Sequence, residues 1–526
     1  MIGGFDILAV VKGTLAFWDI LIILGYFAVL IGMGVYTSRK ISTAEEFMVA
    51  GRKIPGWAAG LSVMCAYTSS LSYIATPGKS FGSNWNAVLF AYMMIPAAIF
   101  VCVFIIPYYR KIGIISVYEF LERKLGVWGR IYAAISFMLY MIGRIAAILY
   151  LTALLLSQFA HILPGSSANL ILLILIIGII TIFYTLLGGM EAVIWADVMQ
   201  AVIMLSGIAV VCLILTKKIA FGANPPIEAA WEAGKFSLGK WDFSLNDQGL
   251  ANRTFWVMII FGLTENLRNL MADQNYVQKY AACVDEKQAK RSIVVATVIY
   301  TILTTIFIYI GTALWAHYNG TTILADNGIT KQDDVFPFYI ATEVVTGFRG
   351  LLIAAILAAA ISTVATAFNC SATIWLQDFH KKYVNKNITD KQSIVMLRLV
   401  TVIWGLLGIG FACMMLKARS VLDVWWTMSG IFGGGILGLF LLALMRVKLK
   451  MWQGIISIIA SVLFIFWGVF IRGESYGSFA CQLDKIIVGA LGTGVLVLVA
   501  WVLSLTNDKA QMIAAEQQAD SQPTEQ

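Results

Sequence analysis

Long apolar runs dominate this chain and leave it few ways to fold. A helix that crosses a bilayer needs ~20 mostly apolar residues. About thirteen stretches of the 526 residues meet that length. They lie near 15–37, 55–78, 86–108, 127–158, 169–187, 191–216, 253–275, 292–317, 348–379, 393–416, 420–445, 450–472 and 486–506. Composition agrees: 60% of residues are hydrophobic and 13% charged, where a soluble domain has ~45–50% and ~25%. So little charge cannot coat a water-soluble protein of this size. That excludes a soluble enzyme, a nucleic-acid-binding protein and a disordered chain. The expected class is an all-α polytopic membrane protein in a lipid bilayer.

The net charge of +8 fits membrane topology better than nucleic acid. With the N-terminus outside, most of the 37 Lys and Arg fall on inner loops and flanks. These are Arg39, Lys40, Arg52, Lys53, Arg110, Lys111, Arg123, Lys124, Arg130, Lys279, Lys287, Lys290, Arg291, Lys381, Lys382, Lys386, Lys391, Arg398, Arg446, Lys448, Lys450 and Lys509. The bias predicts an outer N-terminus and an inner C-terminus. Met1–Thr14 has no basic leader, so no cleaved signal is expected. The polar, Gln-rich segment 507–526 reads as a disordered tail. SVYEFLERKL at 116–125 reads as a short interfacial helix. Seven scattered cysteines and three scattered histidines predict neither a disulfide framework nor a metal cluster. No nucleophile–base constellation suggests an enzyme.

Two spans are poor continuous helices. The run at 55–78 is rich in small and hydroxyl residues from Cys65 to Ser72. The run at 253–275 loses apolarity at Gly262–Asn269. Interrupted helices at matching positions of two halves point to an inverted-repeat transporter site. In the ninth span Ser362, Thr363, Thr366, Asn369 and Thr373 share one helical face. Such a face supplies hard oxygens for a sodium ion, or permits close helix packing.

A few charges lie where an apolar chain should have none. Asp197 is about two turns inside the sixth span; a carboxylate there costs ~2.5–3.5 kcal/mol unless compensated. It serves a cation site or a structural hydrogen bond. Arg144 lies ~24 Å along the fourth span, too far to snorkel. It clamps an anionic solute or joins an internal salt bridge. Glu265 and Arg268 are three apart on the seventh span and are expected to pair with each other, beside Asn266 and Asn269.

Four segments carry a resemblance. AEEFMVAGRKIPGWAAGLS at 44–62, YTLLGGMEAVIWADVMQ at 184–200, DQNYVQKY at 273–280 and AAAISTVATAFNCSATIWLQDF at 358–379, in this order, resemble the sodium/solute symporters, relatives of the sodium/glucose cotransporters. The run FMLYMIGRIAAILYLT around Arg144 looks most like that of bacterial sodium/sialic acid symporters. The resemblance implies a leucine-transporter-like inverted repeat of two five-helix units. Residues 1–54 would be an extra helix and loop, 55–216 the first repeat and 217–252 an external loop. Residues 253–445 would be the second repeat, 446–506 two C-terminal helices and 507–526 the tail.

By position, the resemblance implies a main sodium site at Cys65, Thr68, Ala359, Ser362 and Thr363. A second sodium site would use Asp197, Ser362 and Thr366, with Ala365 where sialic acid symporters carry one more hydroxyl. The implied solute residues are Arg144 for a carboxylate, with Tyr67, Ser69, Ser72, Ala91 and Asn266. Tyr67 replaces a usual threonine and Ala91 a glutamine. The expected activity is sodium-driven import of a small carboxylated solute, such as the sugar acid sialic acid, across a bacterial inner membrane, with one chain sufficient. The alternative is a neutral sugar, another monocarboxylate or an amino acid, with Arg144 structural.

Overall fold

In hydrocarbon every backbone N–H and C=O must be paired within the protein, which leaves helices as the economical solution. The computed structural model describes residues 15–39, 41–159, 167–221, 227–244, 249–417, 421–472 and 474–520. The N-terminal segment read for a signal peptide and Lys40 lie outside them.

The helices run in order as α1 (Phe17–Ser38), α2 (Ala44–Val49), α3 (Gly56–Tyr67), α4 (Ser70–Gly82), α5 (Val88–Tyr92), α6 (Met94–Phe100) and α7 (Ile106–Ile112). Next come α8 (Glu119–Leu125), α9 (Val127–Phe159), α10 (Ser167–Phe221), α11 (Ile227–Glu232), α12 (Phe255–Ala272), α13 (Gln274–Ala281) and α14 (Glu286–Tyr318). The last are α15 (Ile323–Asp326), α16 (Val335–Glu343), α17 (Phe348–Ile374), α18 (Asp390–Met414), α19 (Val421–Leu444), α20 (Met451–Phe470) and α21 (Lys485–Asp520). Among the described residues ten helices are long and apolar enough to cross a membrane. The other three expected spans, 55–78, 253–275 and 420–445, are helical too, the first two divided by breaks.

Helix α17 is the axis of the bundle. Every one of its residues from Leu352 to Ile374 is buried. Its alanines let α1, α9, α10 and α18 pack against it closely. Helix α10 joins two expected spans through Gly189, whose φ of 54° suits glycine. A Cβ there would also come within 2.8 Å of the Phe47 carbonyl oxygen.

The first break falls where the small and hydroxyl residues cluster. Helix α3 ends at Tyr67, and Thr68 leaves helical geometry at φ −98°, ψ 88°. Ser69 is extended, and its side chain accepts from Ser72 N at 3.4 Å to start α4. The second break differs from expectation. Helix α12 continues intact through Gly262–Asn269, and the interruption is Asp273, extended at φ −101°, ψ 118°. The Asp273 carboxylate caps α13 by accepting from Asn275 N at 2.9 Å.

Backbone bonds tie the segments flanking the two broken helices. Ile54 N donates to Ala282 O at 3.1 Å, and Val284 N donates to Ile54 O at 3.3 Å. They form an isolated parallel bridge between Ile54 and Cys283. The segment read as a disordered tail is helical as far as Asp520. Its Ala, Gln, Met and Glu residues are strong helix formers.

Candidate functional site

A broken helix leaves the carbonyls of its last turn without intrahelical partners. At the end of α3 the Ala66 carbonyl is one of them. It accepts from Arg144 Nη2 at 3.1 Å and from Tyr276 Oη at 3.4 Å. Arg144 Nη2 also donates to Tyr276 Oη at 3.4 Å. Arg144 is 8% exposed. Among the described residues no carboxylate lies within 4 Å of its guanidinium. The internal salt bridge considered for Arg144 is therefore not formed there.

Beside it is a cavity of about 200 Å³. Arg144, Tyr67, Ser69 and Ser72 line it, together with Glu265, Arg268 and Asn269. Its aromatic wall includes Tyr67, whose ring centroid is 4.6 Å from that of Tyr276 and 4.9 Å from that of Tyr300. Among the described residues the Tyr67 hydroxyl is buried without a hydrogen-bond partner. Four of the six expected solute residues thus converge.

Ala91 and Asn266 do not line the cavity. Asn266 Nδ2 donates to Phe90 O at 2.9 Å and to Gly262 O at 2.7 Å, tying α12 to α5. Ala91 is fully buried beside that tie. Both are engaged in helix packing. Glu265 and Arg268 pair as their spacing predicts, at 2.7 Å.

The residues expected to hold sodium are all buried. Ser362 Oγ donates to Asp197 Oδ1 at 2.5 Å, and Cys65 Sγ donates to Asp197 O at 3.3 Å. Asp197 therefore gathers α3 and α17. Thr363 Oγ1 donates to Ala359 O at 3.1 Å, and Thr366 Oγ1 to Ser362 O at 2.9 Å. Thr68 stands at the break, its hydroxyl 3.6 Å from Met64 Sδ.

Lys279 corrects the loop assignment. It is wholly buried in α13, where its Nζ donates to Asp197 Oδ2 at 2.8 Å and to Ser62 O at 2.8 Å. Ser62 Oγ donates to the same carboxylate oxygen. Asp197 thus has both oxygens engaged and its charge matched. The expected second span-interruption ended before Lys279, so nothing in the spacing paired two residues so distant in sequence.

The model of the sodium:solute symporter family matches residues 47–461. The chain is 30% identical to the sodium/sialic acid symporter NanT of Aliivibrio fischeri over 95% of its length and 96% of the relative's. It is 30% identical to the sodium/sialic acid symporter SiaT of Proteus mirabilis over 90% of its length and 92% of the relative's. A solved structure of a substrate-bound, outward-open, Na⁺-coupled sialic acid symporter superposes with a TM-score of 0.82 at 28% identity, covering 93% of this chain and 98% of that one. The architecture is accordingly the leucine-transporter-like one expected. Sodium is the coupled ion, and a small molecule is the cargo of this multi-pass membrane protein. The chain belongs to the sodium:solute symporter family.

Proposed function

We propose that this symporter imports a small carboxylated solute, most favourably a sugar acid of the sialic acid type, with one sodium ion per solute. The observation that carries the reading is Arg144: a permanently charged group, buried on the cavity wall and without a carboxylate within 4 Å among the described residues. A solute carboxylate would complete it. The names of the 30% identical relatives support the same solute class.

Sodium would bind at Cys65, Thr68, Ala359, Ser362 and Thr363, bracing the broken α3 against α17. All five are buried, and α3 packs on α17. The second site, Asp197 with Ser362 and Thr366, is the weaker of the two. The Lys279 ammonium already matches the Asp197 charge, and Ala365 offers no hydroxyl. That pairing supports one-to-one coupling.

The chain would lie in a bacterial inner membrane with about thirteen crossings, N-terminus outside, C-terminus inside. Its charge bias supports this. The cavity would then face outward, lined by Ser72 of α4, Leu151 of α9 and Phe261 of α12. On the inner side Arg130 bonds Glu122 at 2.6 Å and Asp378 at 2.5 Å, and Glu122 also pairs with Lys382, which supports a closed inner gate. One chain lines the cavity, which supports a monomer as the transport unit, passing the solute unchanged. Uptake into proteoliposomes from a panel of sugar acids, monocarboxylates, amino acids and neutral sugars tests the reading. Sodium-dependent uptake confined to acids is expected; uptake of neutral sugars alone would overturn it.

A further inference from the structure

The Glu265–Arg268 pair does more than neutralise itself. Of the two, the carboxylate is the exposed partner: its side chain is 26% exposed, against 7% for Arg268. Its ion-pair partner among the described residues is Arg268, Nη2 to Oε2 at 2.7 Å. An ionised carboxylate offers about four acceptor positions, so Glu265 keeps acceptor capacity turned to the cavity it lines.

Arg268 holds it there from a closely built socket. Its guanidinium lies over the Tyr140 ring at 5.1 Å, and its Nη2 donates to Asn269 Oδ1 at 3.3 Å. The last wall is Gly433, where a Cβ would fall 2.1 Å from Arg268 Nη1. Tyr140 precedes Arg144 by one turn of α9 and lines the same cavity. The lining thus carries donors at Arg144 and Arg268 and the acceptor oxygens of Glu265.

We propose that Glu265 is a specificity-determining residue that reads hydrogen-bond donors, O–H or N–H, on the part of the solute away from its carboxylate, and that Arg268 is its positioning residue. The lining carries two guanidinium groups and one carboxylate, a net single positive charge. That matches a monoanion. A second carboxylate on the solute would meet Glu265 and be rejected, because like charges held close in a poorly solvated site repel. The inference rests on the reading of Arg144 as the carboxylate clamp.

Competition and uptake assays on proteoliposomes of the full chain test it, comparing the native residue with Glu265→Gln and Glu265→Asp. The probes are N-acetylneuraminate, lactate, glycine betaine and a short dicarboxylate, succinate. Glu265→Gln is expected to raise KM for N-acetylneuraminate about tenfold more than for lactate, and to let succinate compete. Glu265→Asp keeps the charge and should still exclude succinate. Gly433→Ala, which displaces Arg268, should lower the N-acetylneuraminate to lactate preference in the same direction. If glycine betaine proves to be the solute most dependent on Glu265, the donor assignment is overturned in favour of an ammonium site. Equal changes for every solute, or none, would also overturn it. If the native protein takes up no acid, the Arg144 reading has failed instead.

Discussion

Lys279 Nζ lies 2.8 Å from Asp197 Oδ2, and both side chains are wholly buried. Two opposite charges withdrawn from solvent stabilise each other only as a pair. They also connect the elements that matter. Asp197 is on the second half of α10, Lys279 on the second half of a broken helix, and Ser362 on the axial helix. Lys279→Met should therefore destabilise the protein by about 3–5 kcal/mol by stranding a buried carboxylate. The double variant Lys279→Met with Asp197→Asn should recover much of that loss. Thermal unfolding in detergent measures both, and an unchanged midpoint for Lys279→Met would remove the pair from the list of structural ties.

The same pair bears on charge movement. One sodium ion with a monoanion carries no net charge, whereas two sodium ions carry one, worth ~2.3 kcal/mol per 100 mV. Solute-induced current across proteoliposomes on a solid support should be absent with a monocarboxylated solute. A steady positive current would show that Asp197 accepts a second ion despite Lys279.

Arg144→Lys keeps the charge but loses the planar fork and its bonds to the Ala66 carbonyl and the Tyr276 hydroxyl. The expected result is a 10- to 100-fold rise in KM for an acid, or ~1.5–3 kcal/mol, with little change in sodium-dependent thermal stabilisation. An unaltered KM would make Arg144 a packing residue.

Much of this could be read from residue order, and the exceptions have physical causes. The first break was legible because the small and hydroxyl residues from Cys65 to Ser72 make a weak membrane helix. The second was displaced because loss of apolarity at Gly262–Asn269 signals a wetted face, not an unwound backbone. Helix α12 stays fully bonded there while Glu265, Arg268 and Asn269 face the cavity. The real signal was Asp273, an N-capping residue in mid-span. Lys279 was assigned to a loop for the same reason, since α13 extends to Ala281 beyond the expected end. Asn266 was misjudged because polarity alone does not distinguish a solute contact from a bond to a neighbouring helix.

At the far end of α14, Glu343 of α16 joins Lys218 at 2.7 Å, His317 at 3.0 Å and Tyr318 at 2.6 Å. Burial alone would raise its carboxyl, but hydrogen bonds from His317, Lys218 and Tyr318 outweigh that and hold it down at about 2. A carboxylate depressed when folded contributes stability that is complete above the ordinary glutamate range and is lost as pH falls toward its folded value. The window is therefore roughly pH 4.5 to 2, and the effect about 2 kcal/mol once solvent screening is allowed for. Thermal midpoints of the native protein and Glu343→Gln should differ at pH 6 and converge on acidification through that window.

Gly311 closes the seam between α14 and the outer half of the first broken helix. A Cβ at Gly311 would meet the Pro77 carbonyl oxygen at 2.1 Å, and that atom is backbone and cannot swing aside. Next to it Ser80 and Thr312 share a hydroxyl bond of 2.9 Å. Gly311→Ala should cost about 1–3 kcal/mol of stability, read as a lower thermal midpoint. A neutral result would mean that α4 is free to shift away from α14.

The bridge between Ile54 and Cys283 is made of main-chain atoms only, so it is indifferent to the side chains that stand there. A conventional mutational survey would pass over it in silence; proline at 54 or 284 would remove an N–H donor and cut it. This stitch joins the segment that leads into α3 to the segment that follows α13. A rotation of either helix that pulled these segments apart would have to break two backbone hydrogen bonds.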